Sequence, residues 1–166
     1  IEQQWDRITS GYKYDFAMNI GLNFSDQLFL GANVGGTILR YTSDTYMREY
    51  AKNTDEFEID FEDGAATCFD NAILNDYYTA EGVGVYGKIG VIYVPFPELR
   101  VGAAIQTPTL TAMKETWEYY GDIHFTDNSY SASELSPEGE YEYNLVSPFR
   151  FNVGAAYTFP GGAISA

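Results

Sequence analysis

The chain has 166 residues, long enough for one domain with a sizeable core. Its 24 acidic and 9 basic residues give a formal net charge of −15, which excludes nucleic-acid binding because such a charge repels phosphates. The single cysteine, Cys68, excludes an internal disulfide, and no apolar run is long enough for a transmembrane helix.

The start of the chain has no initiator Met and no signal-peptide pattern of a charged region followed by an apolar region. We therefore expect a processed protein or a piece of a longer one.

Residues 12–24, YKYDFAMNIGLNF, alternate apolar or aromatic side chains with small or polar ones. This period of two predicts a strand with one apolar face and one wet face. A second alternation follows at once and carries Leu28, Leu30, Ala32, Val34 and Ile38 on one face. Since only residues 25–27 separate the two runs, we expect an antiparallel hairpin.

The acidic stretch 44–76 is predicted as a long connection, with short helices at 44–52 and around 71–75. The third strand is predicted from about Tyr78 to Val94, and its apolar face holds Val83, Val85, Ile89, Val91 and Tyr93. PFPE at 95–98 predicts a short turn because proline cannot donate to a ladder.

The fourth strand is expected to begin at Leu99 and to resume after Pro108 towards Trp117 and Tyr119. A polar loop at 122–137 follows. The fifth and longest strand is predicted from about Glu140 to Phe159, ending at PGG.

Connections thus alternate between short turns and long acidic or polar loops, which is typical of outer-membrane barrels. The sequence predicts an all-β fold, an antiparallel meander of about five long strands that is part of a transmembrane β-barrel. Five strands leave two open edges, so residues 1–166 are expected to be a single partial barrel domain. Isolated in water, such a piece could rearrange into a small barrel or a sandwich.

The wet faces of the predicted strands carry mostly Gly, Ala and Asn with few charges, which indicates an enclosed surface rather than one facing bulk water. Seven glycines lie there, at positions 31, 35, 82, 84, 90, 102 and 154. They predict either a hollow for a ligand or relief of crowding where the sheet curves.

Aromatic residues cluster near the predicted strand ends, as in the girdles of membrane barrels, although strand propensity alone also favours Tyr and Phe. One rim would hold Tyr12, Tyr14, Tyr119, Tyr141 and Tyr143, and the other Phe24, Tyr93, Tyr157 and Phe159.

Two segments resemble the FadL/TodX family of outer-membrane transporters for long-chain fatty acids and other hydrophobic compounds. The first segment is similar to that family's Leu-x-(Ser/Thr)-Pro-aromatic strand and reads YNLVSPFRFNVGAAYTFPGGAISA. It departs from the family at Phe149, where Trp is commoner. The second segment resembles that family's hairpin and reads GKIGVIYVPFPELRVGAAIQTP. The first strand of that hairpin ends in Tyr-x-Pro, and the second begins with Leu-Arg-x-Gly and is followed by Thr-Pro. The matching residues here are Tyr93, Pro95, Leu99, Arg100, Gly102, Thr107 and Pro108.

The resemblance implies a fourteen-stranded barrel plugged by a hatch, and neither the hatch nor enough strands are present. It implies passive diffusion of a hydrophobic ligand past the hatch to a lateral exit, in the bacterial outer membrane. Outer-membrane lipid and a fatty-acid-like small molecule are the implied partners. No catalytic residue, cofactor or metal is implied, so we expect no enzyme.

Ligand contact is predicted on the enclosed face, where a cation could meet a fatty-acid carboxylate. The candidate residues are Lys13, Tyr86, Lys88, Arg100, Arg150 and Asn152. The alternative is that Lys13, Lys88 and Arg150 pair with Asp15 or with loop acids.

Other candidate sites are weaker. The acidic run 55–64 could hold Ca²⁺ but lacks EF-hand spacing, so a solvated edge is the alternative. His124, predicted in a loop, has no nucleophile pattern nearby, and Cys68 has no cationic neighbour in sequence. A glycoside hydrolase would need a pair of catalytic carboxylates, and no such pair is identifiable in this sequence. The alternative to a transporter is a soluble extracellular or periplasmic β-sandwich that acts as a binding or adhesion module.

Overall fold

The computed structural model describes residues 1–62, 64 and 66–166, with the side chain of Glu56 excepted. The described chain is all-β, as predicted, and apart from two short 3-10 turns, Thr54–Glu56 and Asn128–Tyr130, it has no helix. The strands are β1 (Glu2–Phe24), β2 (Leu28–Tyr50), β3 (Glu58–Asp60), β4 (Ala66–Phe96), β5 (Leu99–Gln106), β6 (Leu110–Phe125), β7 (Ala132–Leu135), β8 (Gly139–Val146), β9 (Arg150–Phe159) and β10 (Gly162–Ser165).

The strands form one sheet with the neighbour order β1-β2-β4-β5-β9-β10, while β6 pairs with β4, β7 and β8, and β3 pairs with β4. β4 pairs with β5, and β5 pairs with β9, in antiparallel orientation. The expected antiparallel meander is therefore confirmed.

The β1–β2 hairpin turns at the expected place. Ser25 and Asp26 both have positive φ, 54° and 57°, and the amide of Gln27 donates to the carbonyl of Phe24 across 3.2 Å. Two central residues with φ > 0 define the type I′ turn, whose twist matches that of the flanking strands. The side chain of Asn23 supports the turn. Its Nδ2 donates to Asp26 Oδ1, and its Oδ1 accepts a hydrogen bond from the backbone amide of Asp26.

The prediction of a connection over 44–76 is wrong for most of its length. β2 continues to Tyr50 and β4 begins at Ala66, so neither predicted helix forms, and residues 44–50 and 71–75 are strand instead. The chain stays extended because neighbouring strands supply ladder partners and aromatic contacts, as between Tyr46 and Tyr77, whose ring centroids lie 6.4 Å apart. Exposed strand positions tolerate the acidic residues that suggested a loop.

The second half of the chain is more interrupted than predicted. β6 continues to Phe125, β7 lies within the loop predicted at 122–137, and the fifth strand is split at 147–149 into β8 and β9. Pro148 cannot donate a ladder hydrogen bond, which is the physical reason for the split. After Gly161, at φ 104°, β10 folds back onto β9.

Ser/Thr-Pro pairs recur at three interruptions, and in each the hydroxyl replaces a main-chain acceptor. The amide of Gly87 donates to Thr107 Oγ1 (2.9 Å), that of Tyr119 to Ser136 Oγ (2.8 Å) and that of Thr109 to Ser147 Oγ (3.0 Å). In each pair the Ser or Thr amide donates back to the partner's carbonyl. A two-bond link between strands therefore survives next to each proline.

The chain divides into two compact units. Unit 1 comprises residues 1–12, 40–81 and 114–142, and unit 2 comprises 13–39, 82–113 and 143–166. Unit 1 holds the connections at 51–62 and 126–131, whereas unit 2 holds the three tight turns at 25–27, 97–98 and 160–161. The prediction of one domain over 1–166 stays a prediction.

Buried side chains are few in both units. Among described residues the only buried hydrophobic side chains are those of Ala80, Met113 and Phe125. In unit 1, Phe61 packs edge-on to Phe125 and stacks on Tyr130, with centroids 5.6 and 4.4 Å apart. These rings tie the two connections of unit 1 together.

Candidate functional site

The paired strands of unit 2 separate their side chains by face. In one register row Ile89 lies beside Ile105 and then Phe151, and in the next Val91 lies beside Ala103 and then Val153. Side chains of this face are exposed, with Phe151 at 70% and Val153 at 81%. An apolar sheet face that none of the described residues covers is therefore a principal feature of unit 2.

The opposite face carries the candidate ligand residues. Lys88 of β4 lies in register with Gln106 of β5, which lies in register with Arg150 of β9. The next row on this face is formed by Gly90, Ala104 and Asn152. The structure thus brings three of the predicted residues, Lys88, Arg150 and Asn152, onto adjacent rows of one face.

The remaining predicted residues lie apart from these rows. Lys13 pairs with Asp15 at 3.4 Å, as the alternative for that lysine predicted. Tyr86 precedes Lys88 by two positions, and its ring lies against Gly35, where an added Cβ would be 2.3 Å from the Tyr86 ring carbon Cζ. Arg100 borders a hollow of about 810 Å³ beside the turns at 25–27 and 97–98, and Phe29 and Ile92 line this hollow as well.

The glycines of this face fall into two groups. Gly35, Gly82 and Gly84 are covered by Tyr86, Met113 and Thr111, so their missing side chains relieve crowding. A second group, Gly31, Gly90, Gly102 and Gly154, lines a groove of about 520 Å³. The other lining residues come from both faces of the sheet and are Phe29, Leu30, Val91, Ile92, Ala103, Ala104, Asn152 and Val153. The groove has the size of a small-molecule site.

The electrostatics of unit 2 differ sharply from those of unit 1. Unit 2 contains four basic and three acidic residues, a net charge of +1, and unit 1 contains the other five basic and 21 acidic residues. Among described residues no carboxylate lies within 4.0 Å of the charged nitrogens of Lys88, Arg100 or Arg150. The alternative prediction, that Lys88 and Arg150 pair with acids, is therefore not met by any of the acidic side chains that the structure describes.

Gln106 is the site residue that sequence reasoning missed. It lies in register between Lys88 and Arg150, and its side-chain amide can donate and accept hydrogen bonds. Its place on the wet face was evident from the alternation, but its position between the two cations depends on register.

The weaker candidates remain isolated. His124 lies in β6 rather than in a loop, because the strand is longer than predicted, and its Nε2 is 3.1 Å from Asp122 Oδ2. Cys68 is a free thiol. The described residues contain no group of three or more His, Cys, Asp or Glu that could hold a metal, while Asp63 of the acidic run lies outside them.

No helix among the described residues is both long and apolar enough to cross a bilayer. Comparison with protein-family models and with curated proteins finds no match for this chain.

Proposed function

We propose that this chain forms part of the wall of a bacterial outer-membrane β-barrel of the FadL/TodX type, through which fatty-acid-like hydrophobic molecules cross passively. The observation that carries the proposal is the uncovered apolar face of unit 2. In water such a face would be a large exposed hydrophobic patch, which soluble monomers rarely keep. Contact with lipid chains removes the unfavourable free energy of exposing this apolar face to water.

The first strand supports this proposal independently. Phe16, Met18 and Ile20 project from one side of β1 and are 63%, 84% and 65% exposed. About ten residue steps separate Tyr14 from Phe24, or roughly 34 Å of strand and about 24 Å of depth at a 45° tilt. That depth agrees with the apolar band of about 25 Å in outer-membrane barrels.

Aromatic residues mark one border of this band. Phe24, Tyr93, Tyr157 and Phe159 are exposed and lie near the strand ends beside the tight turns of unit 2. Rings at such a position can place an apolar body in lipid and a polar edge in water. The near neutrality of unit 2 and the strongly acidic character of unit 1 fit a lipid-contacting part and a water-contacting part.

A soluble β-sandwich explains these observations less well. A sandwich buries the apolar face of one sheet against that of another. All ten strands here belong to one sheet, and the apolar residues of unit 2 remain exposed.

Lipid contact can be tested with tryptophan as the reporter. Trp5 and Trp117 are replaced by Phe, and a single Trp is introduced by Phe151→Trp or, on the opposite face, by Asn152→Trp. After insertion into vesicles containing dibrominated phosphatidylcholine, we expect strong quenching at position 151 and weak quenching at position 152. A water-soluble monomer with equal, weak quenching at both positions would contradict the membrane assignment.

Transport needs its own assay. The natural polypeptide carrying this sequence is expressed in cells that lack their own outer-membrane fatty-acid transporter, and uptake of radiolabelled palmitate is measured. We expect uptake above that of cells with an empty vector. Insertion without uptake would refute the transport function while leaving the barrel assignment intact.

A further inference from the structure

We infer that a row of polar side chains across the strands of unit 1 is a docking surface for the phosphorylated sugar head groups of lipopolysaccharide. This polar row consists of Ser10, Arg40, Thr42, Glu81, Lys114 and Glu140. The inference rests on the proposed outer-membrane location and adds to it the lipid that the wall recognises.

Two ion pairs between neighbouring strands form the charged part of the polar row. Arg40 Nη1 on β2 lies 3.4 Å from Glu81 Oε1 on β4, and Lys114 Nζ on β6 lies 2.9 Å from Glu140 Oε2 on β8. All four side chains remain about half exposed. The row therefore offers cations and carboxylates side by side to a molecule outside the sheet.

Hydroxyl groups continue the polar row and its face. Ser10 Oγ on β1 lies 2.7 Å from Thr42 Oγ1 on β2. Further along the same two-residue alternation of β2 and β4, Tyr46 meets Tyr77 edge-on, with ring centroids 6.4 Å apart. Hydroxyl groups and aromatic rings can bind sugars through hydrogen bonds and stacking.

The polar row lies on the strand face that carries apolar side chains elsewhere along the same strands. Glu81 shares the alternation of β4 with Ile89, an exposed residue of the apolar face. On β6 the preceding residue, Met113, lies on the wet face, because a Cβ added at Gly82 would be 2.5 Å from Met113 Sδ. Lys114 therefore points to the side of Glu81.

The charges begin where the exposed apolar residues end. Along β2 the exposed Ile38 is followed on the same face by Arg40, and along β4 the exposed Val83 is preceded on the same face by Glu81. One such step is about 6.7 Å of strand. A change from apolar to charged side chains within one step is expected where lipid chains give way to head groups.

The alternation of charge favours lipopolysaccharide over a phospholipid as the occupant. Lipopolysaccharide combines phosphates, the divalent cations bound to them and sugar hydroxyls. Arginine and lysine form strong hydrogen bonds with phosphates, and carboxylate oxygens are preferred ligands of Ca²⁺ and Mg²⁺. A single phospholipid phosphate would meet Glu81 and Glu140 as repelling charges.

The connections of unit 1 indicate the same leaflet. Unit 1 holds the connections at 51–62 and 126–131, and long loops of outer-membrane barrels are extracellular. The extracellular leaflet of the outer membrane is the one built from lipopolysaccharide.

The test compares two lipids on the natural polypeptide that carries this sequence, purified in dodecyl maltoside. Deep-rough lipopolysaccharide and dipalmitoylphosphatidylglycerol are titrated in the presence of Ca²⁺, and bound lipid is counted by native mass spectrometry. We expect lipopolysaccharide to bind at least about tenfold more tightly than the phospholipid. In the double variant Arg40→Gln/Lys114→Gln, the affinity for lipopolysaccharide should fall by about tenfold.

Two further variants separate the charges from the fold. The exchange Arg40→Glu/Glu81→Arg keeps one cation and one carboxylate in the row, so its affinity should stay within about threefold of the unmodified chain. Chelation of Ca²⁺ should weaken binding to the unmodified chain, and Glu81→Gln/Glu140→Gln should remove this dependence on Ca²⁺.

The matched control removes one arginine and one lysine from the opposite face of β1. Arg7 donates to Ser43 Oγ across 2.9 Å, and Lys13 pairs with Asp15 at 3.4 Å, so both cations have partners comparable to those in the polar row. Arg7→Gln/Lys13→Gln should keep the affinity for lipopolysaccharide. Circular dichroism checks that every variant retains its β-structure.

The outcomes separate this inference from the location on which it rests. Equal affinity for the two lipids, or an equal loss in the control variant, would overturn the docking surface. Lipid quenching at position 151 without a preference for lipopolysaccharide would overturn the docking surface alone. Absence of that quenching together with absence of lipopolysaccharide binding would overturn both the docking surface and the membrane location.

Discussion

The amide of Thr109 donates to the hydroxyl of Ser147 across 3.0 Å, and the amide of Ser147 donates to the carbonyl of Thr109 across 3.1 Å. In a regular antiparallel pair the first bond would use the Ser147 carbonyl. Because Pro148 follows and breaks the strand, the side chain takes over that acceptor role. In the Leu-x-Ser-Pro sequence, the serine hydroxyl thus supplies the hydrogen-bond acceptor that is missing where the proline breaks the strand.

Replacing Ser147 with Ala should lower the free energy of unfolding by about 1 kcal/mol, because the Thr109 amide loses its acceptor. Ser147→Thr keeps a hydroxyl and should be close to the unmodified chain. The measurements are urea unfolding in lipid vesicles and hydrogen exchange of the Thr109 amide. Equal stability and equal exchange in the two variants would show that the hydroxyl is dispensable.

Gly11 lies where β1 and β2 approach closely. A Cβ at this position would be 2.6 Å from the carbonyl oxygen of Arg40, a main-chain atom, so the strands must separate to admit it. Gly11→Ala should therefore destabilise the chain by about 1–3 kcal/mol.

Gly21, also on β1, provides the matched control for that substitution. Its added Cβ would lie 4.0 Å from the carbonyl oxygen of Leu30, an ordinary contact. Gly21→Ala should cost nothing measurable in the same unfolding assay. Comparable losses for both variants would point to glycine flexibility rather than to strand approach.

Ser25 occupies the left-handed region, at φ 54°, within the β1–β2 turn. A side chain at such a position costs about 1 kcal/mol, which glycine avoids. Ser25→Gly should therefore raise the unfolding midpoint, and Ser25→Ala should not. A Gly variant no more stable than the Ala variant would contradict the assigned turn geometry.

Asp127 accepts a hydrogen bond from the Ser129 amide at 3.0 Å, and the backbone and side-chain hydrogen bonds of Ser129 lower the pKa of the Asp127 carboxyl. A folded pKa below the unfolded value means that this stabilisation is present above the unfolded pKa and lost as the pH falls through the folded pKa. We expect protection of the Ser129 amide to weaken in acid.

The control for this pH dependence is Asp127→Asn, whose side-chain carbonyl can still accept the Ser129 amide but does not titrate. Nuclear magnetic resonance of the Ser129 amide should then show protection that no longer changes across the acid range. An identical pH profile in both chains would assign the change to another group.

Local patterns predicted the parts of the fold that depend on neighbouring residues. The alternation in 12–24 and the short turn at 25–27 correctly predicted the end of β1 and its hairpin turn. The turn predicted at 95–98 is shorter than expected, because β4 includes Pro95 and Phe96. Where strands carry acidic residues, as at 44–50 and 66–76, the same reasoning failed. Composition cannot distinguish an exposed strand that pairs with a neighbouring strand from a connection that pairs with none.

The candidate site shows the same limit. Lys88, Arg150 and Asn152 were predicted on the wet face from their position in an alternating pattern, and this assignment needed only the period of two. That Gln106 joins Lys88 and Arg150 in one row follows from the structure alone. The pairing of Lys13 with Asp15 was one of two alternatives from the sequence, and the structure decided between them.

The amino-acid sequence by itself determined which side chains share a face, because that assignment follows from the geometry of a single extended chain. Only the tertiary structure decided which strands are neighbours, where they break and which residues stand opposite each other. Pairing between residues as distant as Lys88, Gln106 and Arg150 depends on the register of whole strands, and a shift of one residue would send every side chain to the other face.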